Sequence, residues 1–76
     1  MKIYEAVSVV LNERNAPLSM REIYQAICDR KLYEFRAKDP LAVVTKAVRT
    51  RLKEKVKAGV KPVFIKGSDG KIDLIR

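Results

Sequence analysis

Residues 39–57 read DPLAVVTKAVRTRLKEKVK, and an apolar and a basic periodicity run through them together. Asp39 and Pro40 open a helix. An aspartate side chain accepts from first-turn N–H groups that have no partner within the helix, and proline's fixed φ suits the first helical position. From there Leu41, Val44, Val48 and Leu52 recur at spacings of three, four and four. At about 100° per residue they form one narrow apolar stripe, the side a helix turns toward a core. The opposite face collects Lys46, Arg49, Thr50, Lys53 and Lys57, with Val43 and Glu54 at one margin and Ala42 at the other. Continuing the helix carries Lys55 onto the apolar stripe, where an unpaired ammonium is costly. The helix is therefore expected to end near Glu54 or soon after, with Gly59 as its stop.

Working back toward the N-terminus, residues 2–14 place Ile3, Val7, Val10 and Leu11 on one helical face, with Tyr4 and Ala6 beside it. Asn15-Ala16-Pro17 ends that helix, because proline lacks the N–H the ladder needs and biases the residue before it away from helical angles. Leu18 follows as a short extended piece. Ser19-Met20-Arg21-Glu22 is a capping box in which serine and glutamate side chains satisfy each other's backbone donors. Met20, Ile23, Tyr24 and Ile27 then make the buried face of a second helix ending around Arg30, where Arg30 and Lys31 suit the negative end of its dipole. The next segment, LYEFRAK, loses helical period and reads as a loop whose Tyr33 and Phe35 cover the end of the core. Cys28, at the margin of the second helix's apolar face and with no histidine to activate it, reads as a small buried or half-buried thiol rather than a nucleophile.

After Gly59 the period changes to two. Val60–Lys66 is rich in β-branched residues, Gly67-Ser68-Asp69-Gly70 is turn chemistry, and Lys71–Ile75 alternates polar with apolar. These residues predict a β-hairpin with Phe64, Ile72 and Leu74 facing the helices, Lys66 and Lys71 near the tip, and Pro62 before the paired section or on its open edge.

Seventy-six residues suffice for one domain with one modest core. A chain that is 47% hydrophobic and 34% charged has the composition of a folded domain rather than a disordered one. No stretch approaches the ~20 apolar residues of a membrane span, and no basic-then-apolar leader follows Met1. A soluble intracellular protein is expected, in the cytoplasm or nucleoid of a bacterium or the nucleus of a eukaryote, and Met1 at the start of the first helix only hints at a natural N-terminus. A single cysteine forms no internal disulfide, and the lack of histidine removes the usual zinc ligand sets, so neither metal nor cofactor is expected.

The net charge of +8 is unevenly placed. Residues 1–35 hold five basic and five acidic side chains, whereas residues 36–76 hold twelve basic and four acidic ones. The whole excess lies in the second half, the expected footprint of a face that meets a polyanion.

Three helices followed by a two-stranded hairpin, with the third helix basic on its outer face, is the layout of a winged helix-turn-helix. In such domains the third helix enters the major groove. The order EAVSVVL, APLSMREIYQAI, a loop, DPLAVVTKAVRTRLK, VFIKG and IDLI resembles the HARE-HTH family of winged helices. That family occurs in certain homeobox proteins, Asx-like chromatin proteins and restriction endonucleases, and it is similar to the N-terminal domain of the bacterial RNA polymerase delta subunit. The resemblance spans nearly the whole chain and is strongest at Pro17-Leu18-Ser19 with Ile23 and Ile27, at the Asp39-Pro40 helix start, and at Phe64 followed by Leu74. It implies a DNA-binding or chromatin-directing module of the kind found both in larger enzymes and in transcription proteins. Where the family commonly carries an aromatic residue after the position of Val48, this chain carries Arg49. Where the family commonly has Ser or Thr before the proline, this chain has Asp39.

Duplex DNA is the expected partner, with Lys46, Arg49 and Lys53 as central contacts, Thr50 bonding a phosphate or base edge, and Lys57, Lys66 and Lys71 adding charge from the end of the helix and the wing. Arg49 is the best candidate for base readout, because its fork bonds guanine at two points while lysines more often only neutralise phosphate. The alternative is a protein-interaction or assembly module of a transcription or defence complex, marked by binding to an acidic protein and little affinity for DNA at physiological salt. No enzyme is expected: Gly59, Gly67 and Gly70 do not form a phosphate loop, there is no histidine base, and no carboxylate pair stands out in a cleft-like context. Membrane-surface binding would require the Leu41–Leu52 stripe to leave the core, and neither an RNP-type aromatic motif nor a GXXG clamp points to RNA.

Overall fold

The computed structural model describes residues 1–75. Its elements, in chain order, are α1 (Ile3–Arg14), α2 (Met20–Asp29), α3 (Pro40–Thr50), β1 (Phe64–Lys66) and β2 (Ile72–Leu74). The result is a small α+β fold of three helices and a two-stranded antiparallel sheet, an element order compatible with a winged helix.

Local chemistry sets most of the boundaries. The Lys2 N–H donates to Glu5 Oε1 at 2.7 Å at the start of α1. Asn15 ends that helix in the left-handed region, φ 51°, with its N–H on the Leu11 carbonyl, a conformation that asparagine tolerates better than most residues. The capping box at α2 forms as its sequence predicts: the Ser19 N–H donates to Glu22 Oε1 and the Glu22 N–H to Ser19 Oγ. Asp39 caps α3 by accepting from the Ala42 N–H at 3.2 Å.

The three helices pack on one another pairwise, and β2 packs on α1. Ala6, Val7, Val10 and Leu11 of α1, Ile23, Ala26 and Ile27 of α2, and Val44 and Val48 of α3 are buried together with Leu18, Leu52, Phe64 and Ile72. Tyr24 and Tyr33 each pack against Phe35 at the margin in tilted contacts, with ring centroids 5.3 and 5.1 Å apart. The loop aromatics thus cover the core, as expected. Cys28 is half-buried.

The end of α3 departs from expectation. The helix stops at Thr50 rather than near Glu54, and the reason is tertiary. The Arg51 carbonyl accepts from the Val63 and Phe64 N–H groups at 2.9 and 3.1 Å, and the Lys53 N–H donates to the Phe64 carbonyl at 2.9 Å. Leu52 therefore lies beside β1 as a one-residue parallel bridge and is buried to 5% exposure without being helical. Gly59 stops no helix; it takes φ 88° in a turn well beyond Thr50. Leu41 is a second correction, since it is half-buried and lies outside the buried cluster. It sits in the first turn of α3, where the helix projects past the core that Val44 and Val48 reach.

The hairpin is shorter than its β-branched run. Phe64 pairs with Leu74, Ile65 with Asp73 and Lys66 with Ile72, leaving Val60 and Pro62 ahead of the paired section. Phe64 and Ile72 are fully buried, and Leu74 packs on the cluster. Leu18, the extended piece between α1 and α2, bridges Ile72 in antiparallel sense, with hydrogen bonds of 2.9 and 2.7 Å.

Candidate nucleic-acid interface

Because α3 stops early, residues 51–60 run back alongside its exposed face, and an open groove of about 740 Å³ lies between them. Leu41, Ala42, Thr45, Lys46, Arg49 and Thr50 line it from α3, Lys55, Lys57 and Val60 from the following segment, and Asp39 at the cap. Of the residues expected to meet DNA, the structure brings Lys46, Arg49, Thr50 and Lys57 together here. Lys53 is exposed but does not line the groove.

Lys66 and Lys71 lie elsewhere. Lys71 shares a separate depression at the hairpin with Pro17, Asp69 and Asp73, and its backbone N–H donates to Asp69 Oδ1 at 3.0 Å. Lys71 also approaches Glu22. That carboxyl is held below its ordinary value first by the Ser19 backbone N–H, then by the Ser19 hydroxyl, with smaller contributions from the charges of Lys71 and Arg14. The hairpin thus balances its two lysines with two carboxylates, whereas the groove holds four cations against Asp39 alone.

Lys46, Arg49, Lys53, Lys55 and Lys57 form no ion pair among the described residues, where the ion pairs are Glu13 with Arg30 and Glu34 with Arg36. Thr50 is different. Its hydroxyl donates to the Lys46 carbonyl at 2.8 Å, and the Thr45 hydroxyl donates to the Leu41 carbonyl at 2.8 Å. Each presents a ligand with a methyl group and an acceptor oxygen, and Thr50 would have to break this bond before donating to a phosphate. Arg51, whose guanidinium stacks on Tyr4, is held against α1 instead.

Sequence reasoning missed Lys55, Leu41 and Val60 as groove residues. The alternation KEKVK at 53–57 marks a basic segment, but only the early end of α3 brings it beside Arg49. No helix among the described residues is long and apolar enough to cross a membrane. No protein-family model, curated protein or solved structure matches the chain.

Proposed function

We propose that this domain is a winged helix that binds duplex DNA through the exposed face of α3 and the segment that follows it. The observation that carries the proposal is the grouping of Lys46, Arg49, Lys55 and Lys57 around one open groove, with Lys53 exposed nearby and none of them in an ion pair among the described residues. Clustered cations repel one another when they are merely solvated. Against a duplex they neutralise phosphates and release condensed counterions, which favours binding. A single α-helix fits a major groove about 12 Å wide, and α3 carries Arg49 on its exposed side, where a guanidinium can bond guanine at two points while the lysines hold the backbone. The resemblance to the HARE-HTH winged helices supports the same assignment.

The test is a titration with duplex DNA, single-stranded DNA and RNA at several salt concentrations. Duplex should bind most tightly, with log affinity falling against log salt by about 0.9 for each neutralised phosphate. Equal affinity for all three would indicate a nonselective polyanion surface. No duplex binding at low salt would refute the proposal.

A further inference from the structure

Duplex binding accounts for the cations around the groove and leaves its floor unexplained. Leu41 begins the apolar stripe of α3, yet it lies outside the buried cluster and lines the groove with Ala42 and Val60. Phosphates gain nothing from such a floor, and leaving leucine and valine partly in water forgoes the burial they could otherwise have. The groove follows α3 from its cap to Thr50, and at 1.5 Å per residue its eleven residues span about 16 Å. A second helix of about three turns has the same length. Charge is graded along the groove, with Asp39 at one end and Lys46, Arg49, Lys55 and Lys57 over the remainder.

We propose that the groove docks an acidic amphipathic helix of a partner protein, its apolar stripe on Leu41, Ala42 and Val60 and its carboxylates against the four cations. Exposed ion pairs contribute little by themselves. The apolar anchors supply the affinity and the charges supply register and selectivity, the division of labour found where helices lie in grooves. Lys46 and Arg49 are also central to the proposed DNA contact, so peptide and duplex exclude one another, and an acidic partner would displace DNA. That exclusion rests on the DNA proposal; the docking does not.

Fluorescence polarisation with a labelled helix-forming peptide of about four turns tests this. The probe consists of glutamate and aspartate with leucines at three- and four-residue spacing, and the control replaces each leucine with serine at unchanged charge. At physiological salt the leucine peptide should bind at least about tenfold more tightly than the control. Leu41→Ser combined with Val60→Ser should abolish that preference while melting temperature stays near wild type. Ala42→Gln, which fills the groove from an exposed helical position, should do the same and decides the matter should the double variant fail to fold. Equal affinity for the two peptides, or a leucine preference that survives in the folded variants, overturns the docking. A leucine peptide that docks on a domain with no duplex affinity at low salt keeps the groove and sinks the DNA proposal. Duplex binding unaffected by saturating peptide overturns the exclusion.

Discussion

The guanidinium of Arg51 lies 3.9 Å from the centroid of the Tyr4 ring, which fastens the first residue after α3 to the first turn of α1. A cation over an aromatic face contributes about 0.5–1 kcal/mol at a site open to water, and Arg51 adds the packing of its aliphatic stem. Arg51→Gln and Tyr4→Leu are each expected to lower unfolding free energy by about that much. In a urea double-mutant cycle the two should be non-additive; strict additivity would show that the contact contributes nothing.

Phe64 is the largest side chain in the core and has 0% exposure. Phe64→Ala should cost about 3–5 kcal/mol, through lost transfer energy and the cavity left behind. A domain of this size has little more stability than that to lose, so the variant should be largely unfolded near physiological temperature. Circular dichroism melts provide the check, and an unchanged transition would contradict a hairpin packed on the helices.

Lys46, Arg49 and Lys53 are exposed, and none lies in the buried cluster. Replacing all three with Gln should leave helicity and melting temperature near wild type while weakening duplex binding. The salt slope should become shallower by roughly 2–3, at about 0.9 per lost phosphate contact. Two pairwise variants separate the groove from the hairpin. Lys55→Gln with Lys57→Gln should reduce the slope by about 2, whereas Lys66→Gln with Lys71→Gln should change it little, because Asp69 and Asp73 stand on the hairpin beside those lysines. The reverse ranking would move the contact surface to the hairpin.

Glu22 gives the domain an acid-sensitive element. Its carboxyl titrates below the ordinary value of 4.5, first because it accepts from the Ser19 backbone N–H. A lowered folded value means that ionised Glu22 stabilises the native state above its unfolded value, and this contribution is lost as pH falls through the folded value. Glu22→Gln should therefore melt at lower temperature than wild type near neutrality, with the difference narrowing as pH is taken below 4.5. Parallel melts over that range test the sign, and a gap that widened on acidification would contradict the cap's role.

Helices α1 and α2 were legible in the sequence because their signals are local: apolar residues at helical spacing, a proline, a capping box. The end of α3 was not, since it is fixed by hydrogen bonds from Val63 and Phe64 to the Arg51 carbonyl, groups more than ten residues away. A helical wheel puts Leu41 on the core stripe, whereas the structure leaves it half-buried along the groove, since a wheel says nothing about which turn reaches the core. The same distinction holds for the candidate interface. Lys46, Arg49 and Thr50 share a face by helical geometry alone, whereas Lys55 and Val60 join them through the returning path of the chain. Lys66 and Lys71 look like natural companions of these cations in one dimension. The Leu18 bridge ties the Lys71 strand to the corner between α1 and α2 instead.

That bridge and its counterpart at Leu52 also bear on self-association. A hairpin with open flanks invites a neighbouring chain to add a strand. Here Ile72 exchanges two hydrogen bonds with Leu18 on one flank, and Phe64 is bonded to Arg51 and Lys53 on the other. Each strand has only three residues, so what remains unpaired is too short to template a growing sheet. The hairpin is therefore expected to recruit no strand from a neighbouring copy of the domain.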